Sequence, residues 1–278
     1  MTVASARESG AIVLFLKDCD RLRQFGYYIE PCPVRAGMFR LPMLSQEICL
    51  QLLEAHHSQL DGLGLVPSSE SLLHLPRTIY DPDSPELNMV PTLTELLQKG
   101  KEDVDVASEC FSCVIHTLMN QKEVPFIVIM DEYNVLFDKG RYFHEMYDPE
   151  VKESIPYHAI TFFQPFMCIG NVEDYPSAPL MKRGAFVVSV THSRPVPNKA
   201  TQELLNRVKN ESDVHIVEVP RYSALELEHV MANYEATGMG SLRFDNGKTI
   251  SDPQELAYYR MVSGGVGSQL LEAAVAIS

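Results

Sequence analysis

Two adjacent carboxylates, Asp131 and Glu132, are the residues whose type and position could support chemistry. They follow an uninterrupted apolar run, residues 126–130, in the segment VPFIVIMDEYNVLF. Such a run is typical of a strand buried on both faces of a parallel sheet, where ligands gather at the strand ends. In nucleoside triphosphatases the first carboxylate helps to hold Mg²⁺, and the second orients an attacking water. The alternative is a core strand that ends in a solvated acidic turn.

A phosphate-binding loop of the form GxxxxGK[ST] should precede that strand, and the sequence does not contain one. The first apolar run, residues 11–16, is preceded by MTVASARESG, which has no glycine-rich turn. Gly247, Lys248 and Thr249 end like the motif, but the opening glycine is replaced by Leu242. We therefore reject this segment as a phosphate cradle.

The missing loop has a structural consequence. In the additional-strand branch of P-loop folds, the strand that carries the loop lies at the centre of the sheet. Without it, the strands predicted at 184–191 and 215–219 each lose a neighbour and expose an edge. We expect either that the chain is an amino-terminally shortened version of a longer protein or that a partner supplies the missing edge.

Composition limits the class of protein. The 278 residues carry a formal net charge of −14, which argues against a surface that clamps DNA or other nucleic acid. Six cysteines are too few for a disulfide framework, and the Cys110-x-x-Cys113 pair has no second pair to complete a zinc site. No apolar run approaches the roughly 20 residues that span a bilayer. These features favour a reduced, soluble, intracellular protein.

The order of predicted elements favours an α/β fold. Four predicted strands alternate with helices, which indicates a parallel sheet flanked by helices on both faces. Capping boxes at Thr92/Glu95 and Ser223/Glu226 mark two helix starts. We predict an α/β domain over residues 1–222 and a helical subdomain over 223–278. The proline-rich loop 61–91 and the aromatic segment 142–166 are candidate contact surfaces.

Four segments together resemble the death-associated protein 3 family: VPFIVIMDEYNVLF, MKRGAFVVSVTHS, HIVEVPRYSALELEHVMANYEATG and YYRMVSGGVGSQLLEA. Members of that family are GTP-binding proteins of the mitochondrial small ribosomal subunit, with a P-loop NTPase domain and a helical carboxyl-terminal subdomain. The resemblance implies a mitochondrial matrix protein of the mitoribosome, in contact with small-subunit ribosomal proteins and rRNA. It also implies GTP or GDP with Mg²⁺ as ligands.

The resemblance further implies roles for individual residues. Asp131 takes the Mg²⁺-associated position, through water, and Glu132 takes that of a water-orienting catalytic carboxylate if the nucleotide is hydrolysed. Thr191, His192 or Ser193 is expected beside the γ-phosphate. The predicted nucleotide site therefore comprises Asp131, Glu132, Thr191 and Ser193.

Two departures from the family pattern argue against hydrolysis. The phosphate-loop Lys has no counterpart, and a segment that often reads SGGNPRE in relatives reads SGGVGSQ here, which replaces a sensor arginine by Ser268. Developing phosphate charge would lack a nearby cation. We therefore expect a structural ribosomal protein with a degenerate or truncated GTP-binding domain. The alternatives are an active AAA-like or signalling P-loop NTPase that uses Asp131 and Glu132, and a nucleotide-free interaction module.

Overall fold

The computed structural model describes residues 2–19, 22, 28–137, 142–143, 154–167, 181–190, 199–208, 215–237, 253–264, 267 and 270–271. Packing divides the chain into two units, Met1–Val214 and His215–Ser278. The first unit is α/β, and the described part of the second contains two helices packed on each other. The boundary predicted between residues 222 and 223 stays a prediction.

The described elements follow one another in this order. Those of the first unit are α1 (Thr2–Glu8), β1 (Ile12–Leu16), β2 (Glu30–Pro31), β3 (Phe39–Arg40), α2 (Pro42–Gly62), α3 (Ser69–Leu72), α4 (Leu93–Glu102), α5 (Val104–Asn120), β4 (Phe126–Met130), β5 (Tyr142–Phe143), β6 (Ser154–Ile155), β7 (Gly184–Val188) and α6 (Lys199–Val208). Short 3₁₀ helices cover Tyr133–Phe137, Tyr157–Ala159 and Gln164–Phe166. The second unit contains α7 (Ala224–Ala236) and α8 (Pro253–Ser263).

Strand β4 is the centre of a parallel three-stranded sheet with the order β1–β4–β7. Its Phe126 pairs with Ile12 on one side and with Gly184 on the other. Phe126, Val128 and Met130 pack into the main core, whereas Ile127 and Ile129 belong to a smaller cluster under α1. Both faces of the strand are therefore covered, which confirms the predicted buried parallel strand.

Helices α2, α4 and α5 pack on one another over the main core. The capping box that starts α4 is formed: Thr92 N–H donates to Glu95 Oε2 over 2.7 Å, and Glu95 N–H donates to Thr92 Oγ1 over 3.2 Å. The aromatic segment contributes to the same core, because its Phe162, Phe163 and Phe166 are almost fully buried. These three side chains are therefore core residues and offer no contact surface.

The outer edge of β1 is closed by a side chain. His56 of α2 is buried, and its Nε2 lies 3.1 Å from both the amide nitrogen and the carbonyl oxygen of Val13. Its Nδ1 is hydrogen-bonded to Gln59 Oε1, which can only accept. The proton therefore lies on Nδ1, and Nε2 accepts from Val13 N–H. This bond satisfies an edge amide for which the described residues provide no neighbouring strand.

The outer edge of β7 is not paired with another described strand. In the described part of the chain β7 pairs with β4 alone, and Ala185 and Val187 are exposed. The predicted fourth strand, residues 215–219, is wrong: the segment has no regular structure, and Val217 and Val219 are 81% and 86% exposed. A strand forms only when a neighbouring strand pairs with its backbone groups, and no described strand pairs with this segment.

Gly184 is required where β7 meets β4. A Cβ at this position would collide with the carbonyl oxygen of Phe126, which is backbone and cannot move aside. We expect Gly184→Ala to destabilise the first unit by about 3 kcal/mol or more, measured by urea denaturation.

Gly62, at the carboxyl end of α2, is the matched control, because a Cβ there meets nothing within 4 Å. We expect Gly62→Ala to leave stability unchanged or raise it slightly. Equal midpoints for the two variants would contradict the β4–β7 register.

Candidate functional site

Asp131 is fixed at the carboxyl end of the sheet by its backbone. Its amide donates to Leu16 C=O over 3.0 Å, and its own carbonyl accepts from Cys19 N–H over 3.1 Å. The neighbouring strand is tied to the same place, because Ser189 N–H donates to Met130 C=O over 2.9 Å. The ends of β1, β4 and β7 therefore meet at Asp131, as expected for a parallel sheet.

Ser189 holds the Asp131 carboxylate and was not predicted from the sequence. Its hydroxyl donates to Asp131 Oδ1 and accepts from Glu132 N–H over 3.2 Å. The Glu132 amide also lies 3.1 Å from Asp131 Oδ1. Both described bonds to the carboxylate use Oδ1, and none of the described hydrogen bonds involves Oδ2. The sequence signal was a polar residue directly after an apolar strand, two positions before the predicted Thr191.

Glu132 has an unusual backbone conformation. Its φ is +58°, the left-handed region, which costs a residue with a Cβ roughly 1–2 kcal/mol. The next amide, that of Tyr133, donates to Ser189 C=O over 2.9 Å and compensates part of this cost. Backbone strain of this kind is concentrated at functional sites, which supports this turn as the candidate site.

Cys19 is buried beneath the two carboxylates. Burial raises the pKa of its thiol to about 12, and the negative charges of Asp131, Asp18 and Glu132 act in the same direction. The thiol is therefore protonated at neutral pH.

The two residues that follow Glu132 are both buried. Tyr133 is fully buried, and its hydroxyl donates to Phe166 C=O over 2.7 Å, while Asn134 is 6% exposed. Both side chains are therefore withdrawn from solvent in this conformation. Thr191 and Ser193, together with His192, lie outside the described residues.

The Cys110–Cys113 pair lies inside α5. Both thiols are buried, and burial raises their pKa values. Across the described ranges, no group of three or more His, Cys, Asp or Glu side chains is placed to hold a metal ion. None of the helices in these ranges is both long enough and apolar enough to cross a bilayer.

Comparison with known proteins gives one clear result. The family model described as mitochondrial ribosomal death-associated protein 3 matches residues 1–272. A search of curated proteins finds no significant match. The family match covers almost the whole chain, including every element of the candidate site.

The role of Ser189 can be measured. Ser189→Ala removes the hydroxyl that bridges Asp131 and the Glu132 amide, and we expect a loss of about 1 kcal/mol in unfolding free energy. Urea denaturation of the variant measures this loss.

Ser189→Thr is the control, because it keeps the hydroxyl and suits a strand end. We expect it to restore most of the lost stability. Equal losses for Ala and Thr would show that the hydroxyl bridge contributes nothing.

Proposed function

This chain belongs to the mitochondrial ribosomal death-associated protein 3 family, and on that basis we propose that it is a structural component of the small subunit of the mitochondrial ribosome. The family makes it a mitochondrial ribosomal protein. The proposed role in the small subunit rests on the family match over residues 1–272. The similarity of the four quoted segments to that family also supports it. Neighbouring small-subunit proteins and rRNA are its proposed partners in the matrix.

The α/β unit is proposed to be a degenerate P-loop GTP-binding domain. Three parallel strands with a carboxylate at the end of the central one support this, because Mg²⁺ prefers oxygen ligands. Asp131, through its Oδ2 and a water, would hold Mg²⁺, and Glu132, Thr191 and Ser193 would line the nucleotide. The fit is partial, since the sequence has no GxxxxGK[ST] loop to cradle the phosphates.

This partial fit favours a structural nucleotide. A GTP or GDP molecule that binds only the folded state stabilises it by mass action, and no turnover is needed. Hydrolysis needs cations at the developing phosphate charge, and the phosphate-loop Lys is missing from this sequence. We therefore propose no catalytic step for Glu132.

The loop 61–91 is proposed to contact a protein neighbour. Leu73 and Met89 are 78% and 83% exposed, although the loop is held in place by the buried Leu72 and Leu75. The range contains five acidic residues and one basic residue. Carboxylates repel rRNA phosphates, so a basic, partly apolar protein segment suits this surface better than RNA.

Sedimentation of native mitochondrial lysate tests the ribosomal proposal. We expect the protein to migrate with the small ribosomal subunit and to leave those fractions after RNase treatment. Migration as a free protein of about 31 kDa would contradict the proposal.

The same fractions test the proposed contact between the loop 61–91 and a protein neighbour. Coupling of carboxylates to lysines, followed by mass spectrometry, is expected to join Asp83 or Glu86 to lysines of protein neighbours. The exposed Glu54, on α2, is the control for random coupling. Ultraviolet cross-links from the loop to rRNA, without protein cross-links, would contradict a protein contact.

Nucleotide binding by the isolated chain is a separate prediction. Without a phosphate loop, we expect a GTP dissociation constant above about 10 μM, equivalent to binding weaker than about −7 kcal/mol. Isothermal titration with Mg²⁺-GTP measures it, with Asp131→Ala as the control that removes the carboxylate. Tighter binding that is lost in Asp131→Ala would show an intact nucleotide site and overturn the degenerate-domain proposal.

A further inference from the structure

A small cavity lies where four segments of the first unit meet. It is lined by residues of the 32–35 turn, of the loop at His74, of α5 and of the aromatic segment at Thr161. Its volume is about 10 Å³, the lower limit for a single water molecule.

His74 presents a donor to this cavity. Arg35 Nη2, which can only donate, lies 2.9 Å from His74 Nε2, so Nε2 is the acceptor. The imidazole proton therefore lies on Nδ1. That atom is buried and has no hydrogen-bond partner among the described residues. A buried donor without a partner destabilises the folded state, and native proteins satisfy nearly all such groups.

Thr161 presents a second unsatisfied group. The residue is 4% exposed, and its Oγ1 likewise has no hydrogen-bond partner in the described part of the chain. Its backbone is fixed, since Thr161 N–H donates to Phe39 C=O over 2.8 Å. Thr161 thus lines the cavity from a fixed backbone position and carries a hydroxyl that needs a hydrogen-bond partner.

Glu109 completes the lining with an acceptor. It is 3% exposed, and both of its carboxylate oxygens accept from Arg40 Nη1, over 2.9 and 3.0 Å. Each carboxylate oxygen has a further lone pair. The cavity thus combines one N–H donor, one hydroxyl and one acceptor. A buried water typically has about three such partners.

We infer that this cavity is a binding site for one resident water molecule, which accepts from His74 Nδ1–H, bonds the Thr161 hydroxyl and donates to Glu109. Such a water connects the proline-rich loop to α5 and to the aromatic segment. A second hydrogen bond also connects the loop to α5, because Ser71 Oγ lies 3.0 Å from His116 Nδ1. The water is therefore part of what holds the loop, and the inference does not depend on the ribosomal proposal.

The experiment compares two threonines. Thr161→Val removes a hydroxyl that bonds the water, and we expect it to lower the urea midpoint of the full chain. Thr94 is the matched control: its Oγ1 is also buried without a hydrogen-bond partner among the described residues, but it does not line this cavity. Thr94→Val removes only an unsatisfied hydroxyl, so we expect an unchanged or higher midpoint.

A high-resolution crystal structure of the full chain supplies the direct readout. Density for one water within hydrogen-bonding distance of His74 Nδ1 and Thr161 Oγ1 is the expected result. An empty cavity in a map that resolves other buried waters overturns the inference, whatever the variants do. A Thr161→Val midpoint that is unchanged or raised, as for Thr94→Val, overturns it as well.

Discussion

The parallel pairing of β4 with both β1 and β7 is the interaction on which the rest of the first unit depends. A strand between two layers has no water for its amides and carbonyls, so both of its edges must be paired. The register that satisfies them sets Phe126 against Ile12 and Gly184. It also brings the ends of all three strands to Asp131. The geometry of the candidate site is thus a consequence of backbone pairing.

The two outer edges of the sheet differ in how their backbone groups are paired. The β1 edge is closed by His56, whose buried ring replaces a neighbouring strand at Val13. The β7 edge has no such replacement among the described residues, and Val187 is 40% exposed.

The candidate site combines an anchored carboxylate with a strained turn. Ser189 orients Asp131 and accepts from the Glu132 amide, while Cys19 below stays protonated because it is buried beside negative charge. This arrangement is built to hold the carboxylate in one position. The sequence contains no GxxxxGK[ST] loop that would neutralise the phosphates of a nucleotide beside this acidic centre.

The sequence by itself determined the buried central strand, the capping boxes and Asp131 at a strand end, because apolar runs and capping residues act locally. It also carried the family resemblance. Only the tertiary structure decided which polar residue meets Asp131, since Ser189 is distant in sequence and arrives through the β4–β7 register. The sequence likewise could not show that residues 215–219 form no strand. A strand depends on a neighbour for its hydrogen bonds, and composition does not reveal whether that neighbour is present.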